Sequence, residues 1–136
     1  MITIGETATK SLTLDREQIR TFAASCGDFN PLHHDEAFAK ASRFGGIIAC
    51  GPHYVALLMG LLATHYTQHG PQVGIGFDAM KLEKPVRPGD TIELKWVVRA
   101  IEPRSIGDVV TLDGSITNQD GARVLSVIGK IMAFRT

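Results

Sequence analysis

The spacing of apolar residues changes partway along the chain. Between residues 72 and 135 they recur at every second position. Thr91 to Ala100 is the cleanest case: Ile92, Leu94, Trp96 and Val98 alternate with Thr91, Glu93, Lys95 and Arg99. A period of two is the mark of a strand with one buried face. Asp108 to Thr117 repeats it through Val110, Leu112 and Ile116, and Val73 to Leu82 and Val124 to Phe134 read as two further strands. The segment Lys84-Pro85-Val86-Arg87-Pro88-Gly89-Asp90 is a turn by composition, and Asn118-Gln119-Asp120-Gly121 suits a hairpin. Four or more strands in hairpin succession predict an antiparallel sheet.

Before residue 66 the spacing is helical. Met1 to Leu14 reads as an extended lead-in. Asp15 to Ser25 predicts a helix: Asp15 or Thr13 caps it, Glu17 suits its positive first turn, Ile19, Phe22 and Ala23 share a face, and Gly27 ends it. A short helix capped by Asp35 is expected through Ala41, stopped by Phe44-Gly45-Gly46. Gly51 to Tyr66 predicts the central helix, with Pro52 tolerated in its first turn. Val55, Leu57, Leu58, Met59, Leu61 and Leu62 cover nearly its whole circumference. A helix apolar all round is expected to be buried all round, with the strands wrapped about it in an α+β layer pair.

A length of 136 residues fits one domain, residues 1–136, with no linker or repeat. Fourteen basic residues balance fourteen acidic ones. Zero formal charge argues against a nucleic-acid partner and against electrostatic attachment to a membrane. The longest apolar run, Tyr54 to Thr64, is too short to span a bilayer, and Met1 to Lys10 lacks a leader pattern. The expectation is a cytoplasmic protein. The two cysteines, Cys26 and Cys50, form no CxxC pair and read as small buried thiols. Neither they nor Ser25 has a nucleophile elbow or a base pattern. Lys81, Lys84, Arg87, Arg104 and Lys130 are scattered, a few available to the phosphates of a large ligand and most solvated.

The candidate chemistry lies in Gly27-Asp28-Phe29-Asn30-Pro31-Leu32-His33, which sets a carboxylate and an imidazole five residues apart across a loop that Asn30-Pro31 forces to turn. Asn30 can bond its own backbone, and Pro31 fixes one torsion and pushes Asn30 out of helical geometry. The loop is suited to aiming two proton-exchanging groups at one small centre. His34 adjoins His33, but neighbouring histidines point apart and neither has an i,i+4 partner, so no metal is expected. Ala49-Cys50-Gly51-Pro52 leads into the central helix, whose first N–H groups are unsatisfied. Pro52 has no N–H, which makes the Gly51 amide the candidate donor to a carbonyl gaining negative charge. Asn30 and Cys50 join Gly51 as candidate substrate-contacting residues.

The segment Phe22 to Ser42 resembles the motif of the (R)-specific enoyl-CoA hydratases of the MaoC-like family. It is met by Phe22, Gly27, Asp28, Asn30, Pro31, Leu32, His33 and Ala39, and the turn from Lys84 to Asp90 is similar to the family's second signature. The resemblance implies a hot-dog fold, an antiparallel sheet wrapped around one long helix. It also implies a homodimer and an acyl-CoA thioester as substrate, with no cofactor. Water would add to a trans-2-enoyl-CoA to give a (3R)-hydroxyacyl-CoA, or the reverse dehydration would run. Asp28 and His33 would hold the water, and Gly51 would donate to the thioester carbonyl. The chain departs from the family at Cys50, where histidine is usual, and at Pro52, where methionine is usual. Two other readings are a hot-dog thioesterase and a non-catalytic acyl-CoA-binding subunit. Those thioesterases place an acidic residue on the central helix, and Gly51 to Tyr66 contains no Asp or Glu. Mere binding does not require an acid/base pair.

Overall fold

The computed structural model describes residues Met1–Thr136. The elements are β1 (Thr7–Thr13), α1 (Arg16–Ser25), a 3-10 turn (Pro31–His33), α2 (Glu36–Ala41), α3 (Gly51–Tyr66), β2 (Gln72–Leu82), β3 (Thr91–Pro103), β4 (Gly107–Thr117) and β5 (Arg123–Phe134). The extended lead-in is therefore itself a strand, paired with β3 from Thr7↔Val97 to Thr13↔Thr91. All pairings are antiparallel, in the order β1-β3-β4-β5-β2. The sheet is laid against α3 in the hot-dog arrangement.

Hairpin succession holds for β3, β4 and β5 but not for β2, which crosses to the far edge and pairs with β5. The connecting segment spans the end of the sheet. Glu83 N–H donates to Val124 O (2.8 Å) on one side, and Gly89 N–H donates to Leu14 O (2.8 Å) on the other. Gly89 takes φ +88°, a turn geometry open to glycine, and Val86 between them is fully buried. Two prolines without N–H groups suit a crossing strap better than a hairpin.

The alternation in β3 falls as the pattern requires: Ile92, Leu94, Trp96 and Val98 are buried against α3. Trp96 lies over Gly114 and Gly129, where an added Cβ would stand 2.5 and 2.8 Å from its ring. Its indole N–H donates to Leu58 O of α3 at 2.7 Å and ties sheet to helix.

Helix α3 is not buried all round. His53, Tyr54, Leu58, Leu62 and Tyr66 are buried, while Ala56, Gly60 and Ala63 are exposed and Val55, Leu57, Met59 and Leu61 are half-buried. A single five-stranded layer covers one side of a helix only. At the opposite edge, β2 exposes Val73, Ile75, Phe77, Met80 and Leu82. Its register shifts between Asp78 and Lys81, where Ala79 adopts φ +53°.

Candidate active site

Helix α1 sets up the loop that follows it. Asp15 accepts from Gln18 N–H (2.8 Å) and Gln18 Oε1 accepts from Asp15 N–H (2.9 Å), a reciprocal cap. The other end closes at Gly27, φ +75°, which lets Asp28 N–H donate back to Ala23 O (2.8 Å). Asn30 Oδ1 then accepts from Leu32 N–H (3.0 Å) and starts the turn that carries His33. Ile48 N–H donates to Leu32 O (3.1 Å), so this turn is pinned to the strand-like approach to α3.

Asp28 and His33 face each other, with Oδ2 to Nε2 at 3.3 Å. His33 is buried and the Asp28 side chain is about one-third exposed. Asp28 Oδ1 accepts from Asn30 N–H (3.1 Å), which leaves Oδ2 as the free oxygen. His33 Nδ1 lies 2.7 Å from Ile48 O. A carbonyl only accepts, so Nδ1 carries a hydrogen. In the neutral ring Nε2 is then an acceptor, and it faces a second acceptor. The two atoms need a proton or a water's two O–H groups between them. That arrangement collects one small donor and can take its proton on either side.

His34 turns away. Its Nε2 lies 2.7 Å from Asp28 O, and its ring centroid is 6.3 Å from that of His33. It braces the loop backbone. No group of three His, Cys, Asp or Glu residues is placed to hold a metal ion. Asn30 is exposed, its side-chain oxygen committed to the loop.

Cys50 precedes α3 and is buried, whereas Cys26 is exposed, contrary to the expectation of two buried thiols. Position 26 caps the C-terminal end of α1, past the residues that reach the core. Burial pushes the Cys50 thiol up, and Cys26 and Asp28 add to this, against the His53 amide that lowers it. No neighbouring cation lowers the Cys50 thiol. Helix α3 has no side-chain cap, so the Gly51 N–H is free for a ligand. His53 is stacked on Phe22, with centroids 4.4 Å apart and rings parallel within 1°. Its Nδ1 is buried without a partner, and burial holds its pKa below the ordinary value. A groove of about 550 Å³ runs between β1, α1 and α3, but neither Asp28 nor His33 lines it.

Residues 3–119 match the family model described as MaoC like domain, and the chain belongs to that family. It is 32% identical over 127 residues to an (R)-specific enoyl-CoA hydratase from Aeromonas caviae, covering 93% of this chain and 90% of the relative. It is 31% identical over 121 residues to a 3-hydroxybutyryl-CoA dehydratase from Methylorubrum extorquens, covering 82% and 76%. The solved structure of the A. caviae (R)-hydratase superposes with a TM-score of 0.87 at 28% identity, covering 97% of each chain. The family and these relatives support a hydratase or dehydratase. No helix is long and apolar enough to cross a membrane.

Three features of the site were not readable from the loop motif. The Ile48 carbonyl that sets the His33 tautomer leaves no side-chain signature. The brace from His34 depends on a backbone oxygen six residues back. Tyr54, whose hydroxyl reaches the neighbourhood of Gly51, reads in sequence as one more apolar position on α3.

Proposed function

We propose that the protein is an (R)-specific enoyl-CoA hydratase, adding water to a trans-2-enoyl-CoA to give the (3R)-hydroxyacyl-CoA, or running the reverse dehydration. The observation that carries this reading is the acceptor-to-acceptor approach of Asp28 Oδ2 and His33 Nε2, with Nδ1 committed to Ile48 O. A water between them donates one hydrogen to each. As its oxygen attacks the β-carbon, one of the pair takes a proton, and the α-carbon gains a proton from the same side. The charge that develops on the thioester oxygen is stabilised by the Gly51 amide at the positive end of α3. Two adjacent acid/base groups accomplish both transfers, so the scheme needs no metal or cofactor. Cys50 is buried directly before Gly51, and Asn30 holds the loop on which the pair stands.

The working unit in this proposal is a homodimer. An eleven-residue edge strand that exposes Val73, Ile75, Phe77, Met80 and Leu82 is a surface for pairing with a second copy. Pairing there would also bring cover to the end of β2 nearest Gly51. Phe77→Glu is expected to give monomers by sedimentation velocity. A variant that stayed dimeric would place the interface elsewhere.

The test of activity is a spectrophotometric screen of enoyl-CoAs varied in chain length and branching, with the product's chirality determined. Loss of the enoyl absorbance with (3R) product is expected. Release of free thiol instead would mean thioester hydrolysis and would overturn the assignment.

A further inference from the structure

Tyr54 lies one helical turn after Gly51, and its residue is 4% exposed. Its hydroxyl approaches to within 3.9 Å of the point where a Cβ on Gly51 would stand. The only side-chain polar atom sealed from solvent without a partner is His53 Nδ1, so the Tyr54 hydroxyl, which bonds to no protein group, looks into open space. Tyr54 also lines a groove of about 250 Å³, together with Phe44, Leu82, Glu83, Lys84 and Pro85. Leu82 closes its other side: its Cδ2 would lie 2.6 Å from a Cβ on Gly51, so only a glycine leaves room between the leucine and the helix start.

A hydroxyl that reaches solvent with no protein partner is free to bond a ligand that enters. The Gly51 N–H and the Tyr54 O–H, neither bonded to a protein group, both belong to the first turn of α3. We propose that the Tyr54 hydroxyl is a second hydrogen-bond donor to the acyl thioester carbonyl, acting beside the Gly51 amide. This deepens the hydratase reading by naming a further substrate-contacting residue, and it rests on that reading for the identity of the substrate. Burial, and then Cys50, push the Tyr54 hydroxyl above its ordinary pKa. The phenol therefore keeps its hydrogen at neutral pH and acts as a donor.

The test compares two ligands that differ only at the carbonyl. Butyryl-CoA has the thioester and cannot be hydrated, and S-butyl-CoA is its thioether, with no carbonyl oxygen. Binding of each is measured by calorimetry to the wild-type chain and to Tyr54→Phe, with thermal unfolding to show that the variant is folded. Tyr54→Phe is expected to weaken butyryl-CoA roughly tenfold, the size of one lost hydrogen bond, and to leave S-butyl-CoA within about twofold. Equal weakening of both ligands, or no change in either, would overturn the proposal, because the hydroxyl would then shape the groove without touching the carbonyl. Failure of the wild-type chain to bind butyryl-CoA would overturn it together with the hydratase reading. A Tyr54-dependent preference for the thioester in a chain that hydrates no enoyl-CoA would uphold this inference and overturn only the hydratase reading.

Discussion

The two ends of α3 each hold a carboxylate against histidine, and they are built oppositely. At the C-terminal end Glu6 Oε2 lies 3.1 Å from His65 Nε2 and 2.8 Å from His69 Nε2. The Met1 ammonium group, 3.3 Å from His69 Nδ1, makes that nitrogen an acceptor, so Nε2 carries the hydrogen and donates to Glu6. Both histidine Nε2 atoms converge on the one carboxylate oxygen. At the N-terminal end the Ile48 carbonyl forces the other tautomer on His33, and two acceptors face each other. One pair is a clasp tying the start of β1 to the end of α3. The other sets the uncommitted Asp28 Oδ2 against His33 Nε2, a place for one small shared donor. A carboxylate beside a histidine is a common contact; the direction of the ring's other hydrogen bond decides whether it fastens or reacts.

The largest expected effect separates the two pairs by turnover. Asp28→Asn and His33→Ala are each expected to lower enoyl-CoA hydration by roughly 10³-fold or more, in the upper range for lost acid/base groups. Glu6→Gln is expected to leave turnover unchanged. Equal losses in the two places would erase the distinction.

A smaller effect is expected at Asn30, which aims the reactive pair without entering the reaction. Asn30→Ala removes the bond to Leu32 N–H and is expected to destabilise by about 1 kcal/mol, as loss of a helix cap does. The same variant should lower kcat roughly tenfold with little change in KM, since the loop that aims both groups is loosened. Thermal unfolding and steady-state kinetics on one preparation check both numbers.

The smallest effect belongs to the clasp and to its pH dependence. Burial acts to raise the Glu6 pKa, but the hydrogen bonds from His69 and His65, with the charge of His69, hold it below its ordinary value of 4.5. A carboxyl depressed on folding adds stability that is present above the unfolded value and is lost as pH falls through the folded one. Glu6→Gln is expected to be less stable than wild type by under about 1 kcal/mol at neutral pH. That gap should close as the pH drops below 4.5, the ordinary value. A gap that widened on acidification would mean the clasp is held together by something other than the Glu6 charge.

Much of this was legible before any coordinates. Asp28 and His33 could be paired because Asn30 and Pro31 stiffen the short turn between them. The β3 alternation announced a one-faced strand because Trp96 and its neighbours have no other place to go. What failed concerned partners rather than elements. Strand β2 has the right period, yet nothing in a period says that it pairs with β5 and not β3. The apolar circumference of α3 says that it prefers burial, not that one sheet layer can bury only half of it. Cys26 is exposed because it caps α1 beyond the turn whose spacing marks a core-facing side, and a small apolar residue at a cap carries no sign of burial.

The central claim is that Asp28 and His33 flank one water on one side of the substrate. Hydration of crotonyl-CoA in heavy water tests it most directly, with the product's configuration read by NMR at both carbons. Oxygen at the β-carbon and a single deuterium at the α-carbon, added to the same face and giving the (3R) alcohol, is the predicted result. Deuterium delivered to the opposite face, or to both faces equally, would contradict it.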